Sequence, residues 1–165
     1  MQVPRRRGDY RKPKEDPYLT EDKINELKEK LERLKKVTRF KLMKEVSTHA
    51  ENGDFSENAS YQIAKGKLRG VNQAIIEIEE HLKQAILIKP NMQNSCVKLG
   101  SKVTVEMEGK VKTWLILGSS EVNLAQNIIS HNSPIGDALM DKKVGDTVKI
   151  PLKNKLLICK ILKIE

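Results

Sequence analysis

The stretch Asn52-Gly53-Asp54-Phe55-Ser56-Glu57-Asn58-Ala59-Ser60 separates two long segments whose apolar residues recur with helical spacing. After this stretch, apolar residues alternate at steps of three and four, which is typical of the buried seam of a coiled coil. The apolar residues of this seam, which belongs to the second of the two segments, are Tyr61, Ala64, Leu68, Val71, Ile75, Ile78, Leu82 and Ala85. Because the connection is short, the pattern predicts two antiparallel helices packed seam to seam. About 30 residues in each helix would make an arm roughly 45 Å long, with the quoted stretch at its tip.

The first helix is predicted to begin after Thr20 and to end near Ala50. Thr20 can cap the helix, and Glu21 and Asp22 place negative charge in its first turn, where the helix dipole favours it. Its seam is regular at first and then slips, as a local change of supercoil would require. The seam residues are Ile24, Leu27, Leu31 and Leu34, followed by Thr38, Leu42, Val46 and His49 or Ala50.

The tip carries two carboxylates that allow two interpretations. Asp54 follows the helix-ending pair Asn52-Gly53 and lies where the N-cap of the second helix is expected, and Glu57 three residues later completes a pair similar to a capping box. The alternative is a functional pair of carboxylates on an exposed turn. Judged on spacing alone, capping is the favoured role.

Composition and charge limit the classes of partner. The chain has 165 residues and a formal net charge of +9, from 31 Lys and Arg against 22 Asp and Glu. This excess favours nucleic acid or a nucleic-acid-bearing machine as a partner, but the charged surface of a coiled coil would explain it equally well. Two cysteines without a CxxC motif are typical of free thiols in a reducing compartment. Since the sequence has neither an apolar run of membrane-spanning length nor a signal peptide, we expect a soluble cytoplasmic protein.

The sequence changes character near Pro90, from helical heptads to short β-branched runs. We therefore expect four parts, which are a disordered basic leader (1–18), a coiled-coil hairpin arm (19–89), a linker (90–95) and a small globular domain (96–165).

The C-terminal part is predicted to be a small, mostly antiparallel sheet with one short helix. Lys102–Met107 and residues 111–117 are expected to pair across the turn at Glu108-Gly109, and a third strand includes Ile128 and Ile129. Ser133 as N-cap and Pro134 at the first helical position start a helix that ends at Met140. Two more strands are expected over 147–151 and 156–164. The predicted fold class is therefore α+β.

Two separated stretches of the chain resemble the Gre family of bacterial transcript cleavage factors. The first is Gly53-Asp54-Phe55-Ser56-Glu57-Asn58-Ala59-Ser60-Tyr61, and the second is Asn132-Ser133-Pro134-Ile135-Gly136-Asp137-Ala138-Leu139 with Val144-Gly145-Asp146 after it. The resemblance implies an N-terminal antiparallel coiled-coil hairpin and an FKBP-like domain. The two would act together as a monomer on RNA polymerase, with the domain at the rim of the secondary channel and the arm inside it. Family members commonly carry a proline in the middle of helix one, where this chain has Arg39-Phe40-Lys41, so this helix is expected to be more continuous.

The resemblance also implies roles for individual residues. Asp54 and Glu57 would help to hold the second Mg²⁺ of the polymerase active site. Two exposed carboxylates alone bind this ion only weakly, so the pair needs a partner that supplies the other ligands. The protein would have no cofactor of its own and would stimulate the polymerase to cleave backtracked nascent RNA. The expected RNA contacts come from Lys65, Lys67 and Arg69 on the shaft behind the tip. The expected docking residues are Ser133, Pro134, Ile135 and Leu139.

Three other functions are compatible with parts of this pattern. A Gre-like antagonist would occupy the same channel, but it would be expected to have altered tip chemistry, and Asp54 and Glu57 are intact. A peptidyl-prolyl isomerase needs an aromatic-lined pocket, and Trp114 is the only aromatic residue after Tyr61. A coiled-coil adaptor would use the tip for structure alone, so neutralising its carboxylates would change nothing. The three histidines lack the spacing of a zinc site.

Overall fold

The computed structural model describes residues 16–51, 59–89, 95–152 and 155–165. Within them a long helical hairpin is followed by a domain built on a mixed sheet, so the predicted α+β fold is confirmed. The similarity of this domain to FKBP stays a prediction. The helices are α1 (Glu21–Arg33), α2 (Arg39–Glu51), α3 (Ala59–Gln84) and α4 (Pro134–Leu139), and the strands are β1 (Tyr18–Leu19), β2 (Ile86–Leu87), β3 (Lys102–Met107), β4 (Lys110–Leu117), β5 (Ile128–Ser130), β6 (Thr147–Leu152) and β7 (Lys155–Ile164).

The arm consists of α1 and α2 packed antiparallel against α3. All the residues of both predicted seams are buried or half-buried, and Lys35 forms an ion pair with Glu79 from one helix to the other. Thr20 caps α1, as predicted, by accepting the backbone N–H of Lys23 at 3.3 Å. Leu19 is fully buried in a cluster with Leu27 and Ile78, and Ile24 packs against this cluster. Leu19 and Ile24 hold the positions of a hydrophobic staple around the Thr20 cap.

A π-helical turn, Leu34–Thr38, joins α1 to α2. In this turn the backbone N–H of Arg39 bonds to the carbonyl of Leu34, five residues back, so the helix takes up one residue more than an α-helix would. The slip of the first seam starts at this point. The π-helical turn therefore takes up the slip, and the apolar side of α2 stays against α3.

The globular domain is a five-stranded sheet with strand order β5-β4-β3-β7-β6. β4 and β5 are parallel and the other neighbours are antiparallel. The predicted turn between β3 and β4 is present, with positive φ angles at Glu108 (50°) and Gly109 (74°), as a tight hairpin requires. Helix α4 covers one face of the sheet. The core between them is formed by Val97, Val103, Val105, Met107, Trp114, Ile116, Ile129, Leu139, Val148, Ile150, Leu157, Cys159 and Ile161.

Residues 16–20, which we call the joint segment, precede α1 and form hydrogen bonds to both the arm and the globular domain. β1 pairs in parallel with β2, and the amides of Ile86 and Ile88 bond to the carbonyls of Pro17 (2.7 Å) and Leu19 (2.8 Å). The prediction of a disordered leader over residues 1–18 is therefore wrong at its C-terminal end, because residues 16–18 form part of the fold. The rest of that leader, 1–15, most of the predicted linker, 90–94, and the tip, 52–58, lie outside the described residues.

Candidate functional site

The ends of α2 and α3 that flank the predicted tip lie far from the globular domain. α3 has 26 residues and so extends about 39 Å. Its C-terminal end lies beside the joint segment, and its N-terminal end, Ala59, is therefore at the distant end of the arm, as is Glu51 at the end of α2. Asp54 and Glu57, the predicted metal-holding carboxylates, fall between these two ends and lie outside the described residues.

The three predicted RNA-binding residues are all exposed on α3, but they do not share one face. Lys65 and Arg69 are four residues apart and are therefore neighbours on the helix surface. Lys67 is two residues from Lys65, which places it about 200° around the helix, on the opposite flank of the seam. Lys65 also lies over the ring of Tyr61, with its Nζ 5.5 Å from the ring centroid. The structure thus brings Lys65 and Arg69 together and separates Lys67 from them.

The predicted docking segment is the start of α4. Ser133 caps this helix, because its Oγ accepts the Gly136 amide at 3.0 Å and donates to the Ser130 carbonyl at 2.6 Å. Gly136 allows the helix to approach the preceding loop, since a Cβ at this position would lie 2.1 Å from the Ser130 carbonyl oxygen. Pro134 is exposed and Ile135 is half-buried against the core.

The assignment of Leu139 to a docking surface is wrong. Its side chain is 0% exposed and packs in the core beneath α4, so it fixes the helix on the sheet and cannot contact a partner. Asn132 and Asp137, which the docking assignment omitted, are exposed on the same segment. The alternation of polar and apolar residues along a helix could have identified Asp137, because Ile135 and Leu139 are spaced to share the buried side.

A buried carboxylate holds the joint segment to the globular domain. The Asp16 side chain is 4% exposed, and its Oδ2 accepts the backbone N–H of Ser119 (2.8 Å) and the Ser119 hydroxyl (3.1 Å). Asn132 Nδ2 lies 3.4 Å and His131 Nδ1 3.3 Å from the same oxygen. The other carboxylate oxygen, Oδ1, accepts the Tyr18 amide at 3.1 Å.

These contacts determine the acidity of Asp16. Burial raises its pKa, but the hydrogen bonds from Ser119 and Tyr18 and the neighbouring His131 outweigh burial and hold the pKa below its ordinary value of 3.8. Asp16 is therefore the ionised partner in this cluster. Sequence reasoning missed Asp16 because it interpreted the residue as part of the leader. The signals available were the turn-forming Asp16-Pro17 pair and the apolar Leu19 just before the helix cap.

Two more residues, Glu121 and His81, contact the joint segment. Glu121 accepts the backbone N–H of Thr20 at 2.7 Å and the Thr20 hydroxyl at 2.5 Å with its two carboxylate oxygens. On the arm side, His81 is buried on α3, and its Nε2 lies 3.0 Å from the Asp16 carbonyl oxygen. The joint segment is therefore bonded to both the arm and the globular domain.

The described part of the chain contains no cluster of three or more His, Cys, Asp or Glu residues that could hold a metal ion. Among the same residues, no helix is long and apolar enough to span a membrane.

Known proteins similar to this chain cover most of its length. The family model described as "Transcription elongation factor, N-terminal" matches residues 17–86, and the model described as "Transcription elongation factor, GreA/GreB, C-term" matches residues 92–165. Transcription elongation factor GreA of Thermomicrobium roseum is 33% identical over 149 residues, which cover 89% of this chain and 96% of that protein. GreA of Macrococcus caseolyticus is 38% identical over 138 residues, which cover 82% and 87%.

A solved structure, that of GreA factor homolog 1 (Gfh1) of Thermus thermophilus, is 22% identical and covers 90% of this chain and 97% of its own, with a TM-score of 0.41. The two family models together match nearly the whole chain from residue 17, and the GreA relatives are more than 30% identical to it. The chain belongs to the GreA/GreB family of transcription elongation factors.

Proposed function

We propose that this elongation factor docks on RNA polymerase through its globular domain, extends its arm into the secondary channel and stimulates the polymerase to cleave backtracked nascent RNA. The observation that carries the proposal is an arm about 39 Å long whose two helices are joined by a segment with two carboxylates. An arm of this length can bring acidic groups to a catalytic centre that lies deep inside a partner. The factor would act in the cytoplasm as a monomer, and the bond cleavage itself would be carried out by the polymerase.

Asp54 and Glu57 are the residues that would meet a metal ion. Carboxylate oxygens are the donors that Mg²⁺ prefers, but one Asp and one Glu leave most of its coordination to water and other ligands. The pair therefore suits a shared site in which the polymerase supplies the remaining ligands. When bound there, Mg²⁺ would activate a water molecule and stabilise the leaving oxygen of the phosphodiester. The contribution of this chain is to deliver negative charge at a defined distance from the docked domain.

The exposed residues of the arm and of α4 would provide the other contacts. Lys65 and Arg69 share one side of α3 and can bind successive phosphates of the extruded RNA. Lys67, on the other flank, would face a different part of the channel or the nucleic acid. At the docking end, Pro134 and Asp137 are exposed on α4, and Ile135 offers part of its side chain beside them.

The test is RNA cleavage in a stalled, backtracked elongation complex. Asp54→Asn combined with Glu57→Gln keeps the size of both side chains and the capping capacity of position 54 but removes both negative charges. Glu21→Gln combined with Asp22→Asn also removes one Glu and one Asp charge, but from exposed positions at the base of the arm, and serves as the matched control. We expect the tip variant to lose stimulation and the control to keep it, with equal helicity in circular dichroism.

Two results would contradict this proposal. If the tip variant stimulates cleavage as well as the wild type, the carboxylates cap the helix and do nothing else. If the wild type does not stimulate cleavage, competition with an active cleavage factor for the polymerase would distinguish a channel-blocking antagonist from an adaptor that binds elsewhere.

A further inference from the structure

The joint segment makes hydrogen bonds to both parts of the protein within five residues. Asp16 and Thr20, at its two ends, each bond to the 3₁₀ turn Ser119–Glu121 of the globular domain. Between them, Leu19 is buried with Leu27 and Ile78 at the base of the arm. A flexible linker would have none of these contacts, and it would let the arm take many orientations.

We propose that Asp16 and Glu121 are positioning residues that hold the arm at one angle to the globular domain and so determine where the tip lies. This inference rests on the function proposed above only for its effect on cleavage. At the end of an arm about 39 Å long, a rotation of ten degrees at the base would move the tip by roughly 7 Å. A docked factor that loses this angle would bind polymerase but present its carboxylates in the wrong place.

Close packing supports the same conclusion independently of the hydrogen bonds. Gly118 approaches the joint segment so closely that a Cβ there would lie 2.1 Å from the carbonyl oxygen of Tyr18. The ring of Tyr18 in turn meets the ring of His131 edge to face, with centroids 5.8 Å apart. The joint segment is thus held by shape as well as by polar contacts.

The two carboxylates can be tested without a change of side-chain size. Both oxygens of Asp16 accept N–H groups, so an asparagine in either orientation would direct its own NH₂ at a donor. Glu121 accepts the Thr20 amide with one oxygen and the Thr20 hydroxyl with the other. Because a hydroxyl can also accept, Glu121→Gln removes the negative charge and reverses the second bond, which makes it the milder of the two substitutions. Asp22→Asn is the matched control, because Asp22 is exposed at the base of the arm.

The angle can be measured by pulsed electron spin resonance between labels on cysteines introduced at Ser47 of α2 and Lys149 of β6, both exposed. Cys96 would be changed to Ser, while Cys159 is fully buried and stays unlabelled. We expect one narrow distance distribution for the unmodified joint and for Asp22→Asn. Asp16→Asn combined with Glu121→Gln should broaden the distribution or shift it, while Trp114 fluorescence and circular dichroism confirm that both parts remain folded. Each single substitution, as a milder change, should broaden it less.

An unchanged distribution in the folded double variant would overturn the proposal, as would a broad distribution with the native joint. In the backtracked complex, cleavage stimulation by the double variant should fall roughly 10- to 100-fold, because misplacing a catalytic group by about 1 Å already costs this much in rate. The variant should still compete with an active cleavage factor for polymerase as well as the wild type does. Full cleavage activity from a variant with a broadened distribution would also overturn the positioning role. If the wild type stimulates no cleavage, the function proposed above fails, and the distance measurement still decides whether the joint fixes the arm.

Discussion

Exchanging glycine for alanine should have opposite effects at two helical positions of this protein. Gly136 lies in α4, where a Cβ would be 2.1 Å from the Ser130 carbonyl oxygen and 2.9 Å from the Cα of His131, both backbone atoms. Gly70 lies in α3, where a Cβ would meet no atom within 4 Å. At Gly70 only the better helix propensity of alanine acts, so Gly70→Ala should stabilise the arm by about 1 kcal/mol.

At Gly136 the clash outweighs the gain in propensity. A distance of 2.1 Å must grow by about 1 Å, so either α4 or the loop before it has to move. Overpacking of this kind costs about 1–3 kcal/mol, and a displaced α4 also draws Leu139 out of the core. Gly136→Ala should therefore destabilise the globular domain by about 2 kcal/mol or more.

Urea unfolding followed by two probes separates the two effects. Trp114 is the only tryptophan and lies 7% exposed in the core of the globular domain, so its fluorescence reports that domain. Far-ultraviolet circular dichroism mainly reports the long helices of the arm. Gly136→Ala should lower the fluorescence midpoint, and Gly70→Ala should raise the midpoint seen by circular dichroism. An unchanged or raised fluorescence midpoint for Gly136→Ala would refute the close packing of α4 on the loop before it.

Three further predictions concern the joint, the arm and the thiols. Folding lowers the pKa of Asp16, so the stability that its carboxylate gives to the folded protein is complete above the ordinary value of 3.8 and is lost as the pH falls through the lower folded value. Acid titration followed by circular dichroism should therefore show a weaker loss of stability for Asp16→Asn than for the wild type in this range. Deleting Val37, in the π-helical turn, should convert that turn to α-helix and return Leu42 and Val46 to the heptad register. A thermal melt followed by circular dichroism should then show unchanged helicity and no loss of stability. A less helical arm would contradict this prediction. Cys159 is buried, which raises the pKa of its thiol and keeps a reagent away from it, whereas Cys96 is partly exposed. A thiol reagent should therefore modify Cys96 in the native protein and Cys159 only after unfolding. Rapid reaction of both thiols in the native protein would contradict the core packing.

The sequence predicted those features whose causes are local. The seams of the arm follow from the spacing of their apolar residues, and the slip after Leu34 corresponds to the π-helical turn at that point. The β3–β4 hairpin follows from Glu108-Gly109, and α4 follows from Ser133-Pro134. In each case the residues that determine the conformation lie within a few positions of one another.

Features that depend on distant residues could not be predicted. Asp16 is separated by 103 residues from Ser119 and by 116 from Asn132, and nothing around Asp16-Pro17 identifies those partners. The docking assignment of Leu139 came from a motif, and a motif does not say which of its residues face inwards. Similarly, Lys65, Lys67 and Arg69 form a compact basic group in the sequence, and only the helical geometry shows that Lys67 lies apart from the other two.

The length of the loop that the joint closes also bears on how the chain folds. The two seams of the arm are complete once the chain has been synthesised to about Ala85, whereas Asp16 cannot meet all of its partners until Asn132 has been made. Since contacts of long sequence separation form slowly and the N-terminal part of a chain is synthesised first, we expect the hairpin to be folded on the ribosome before its direction is fixed. Assembly of this factor would therefore end with a docking step between two structures that are already formed, and the arm would turn freely until that step.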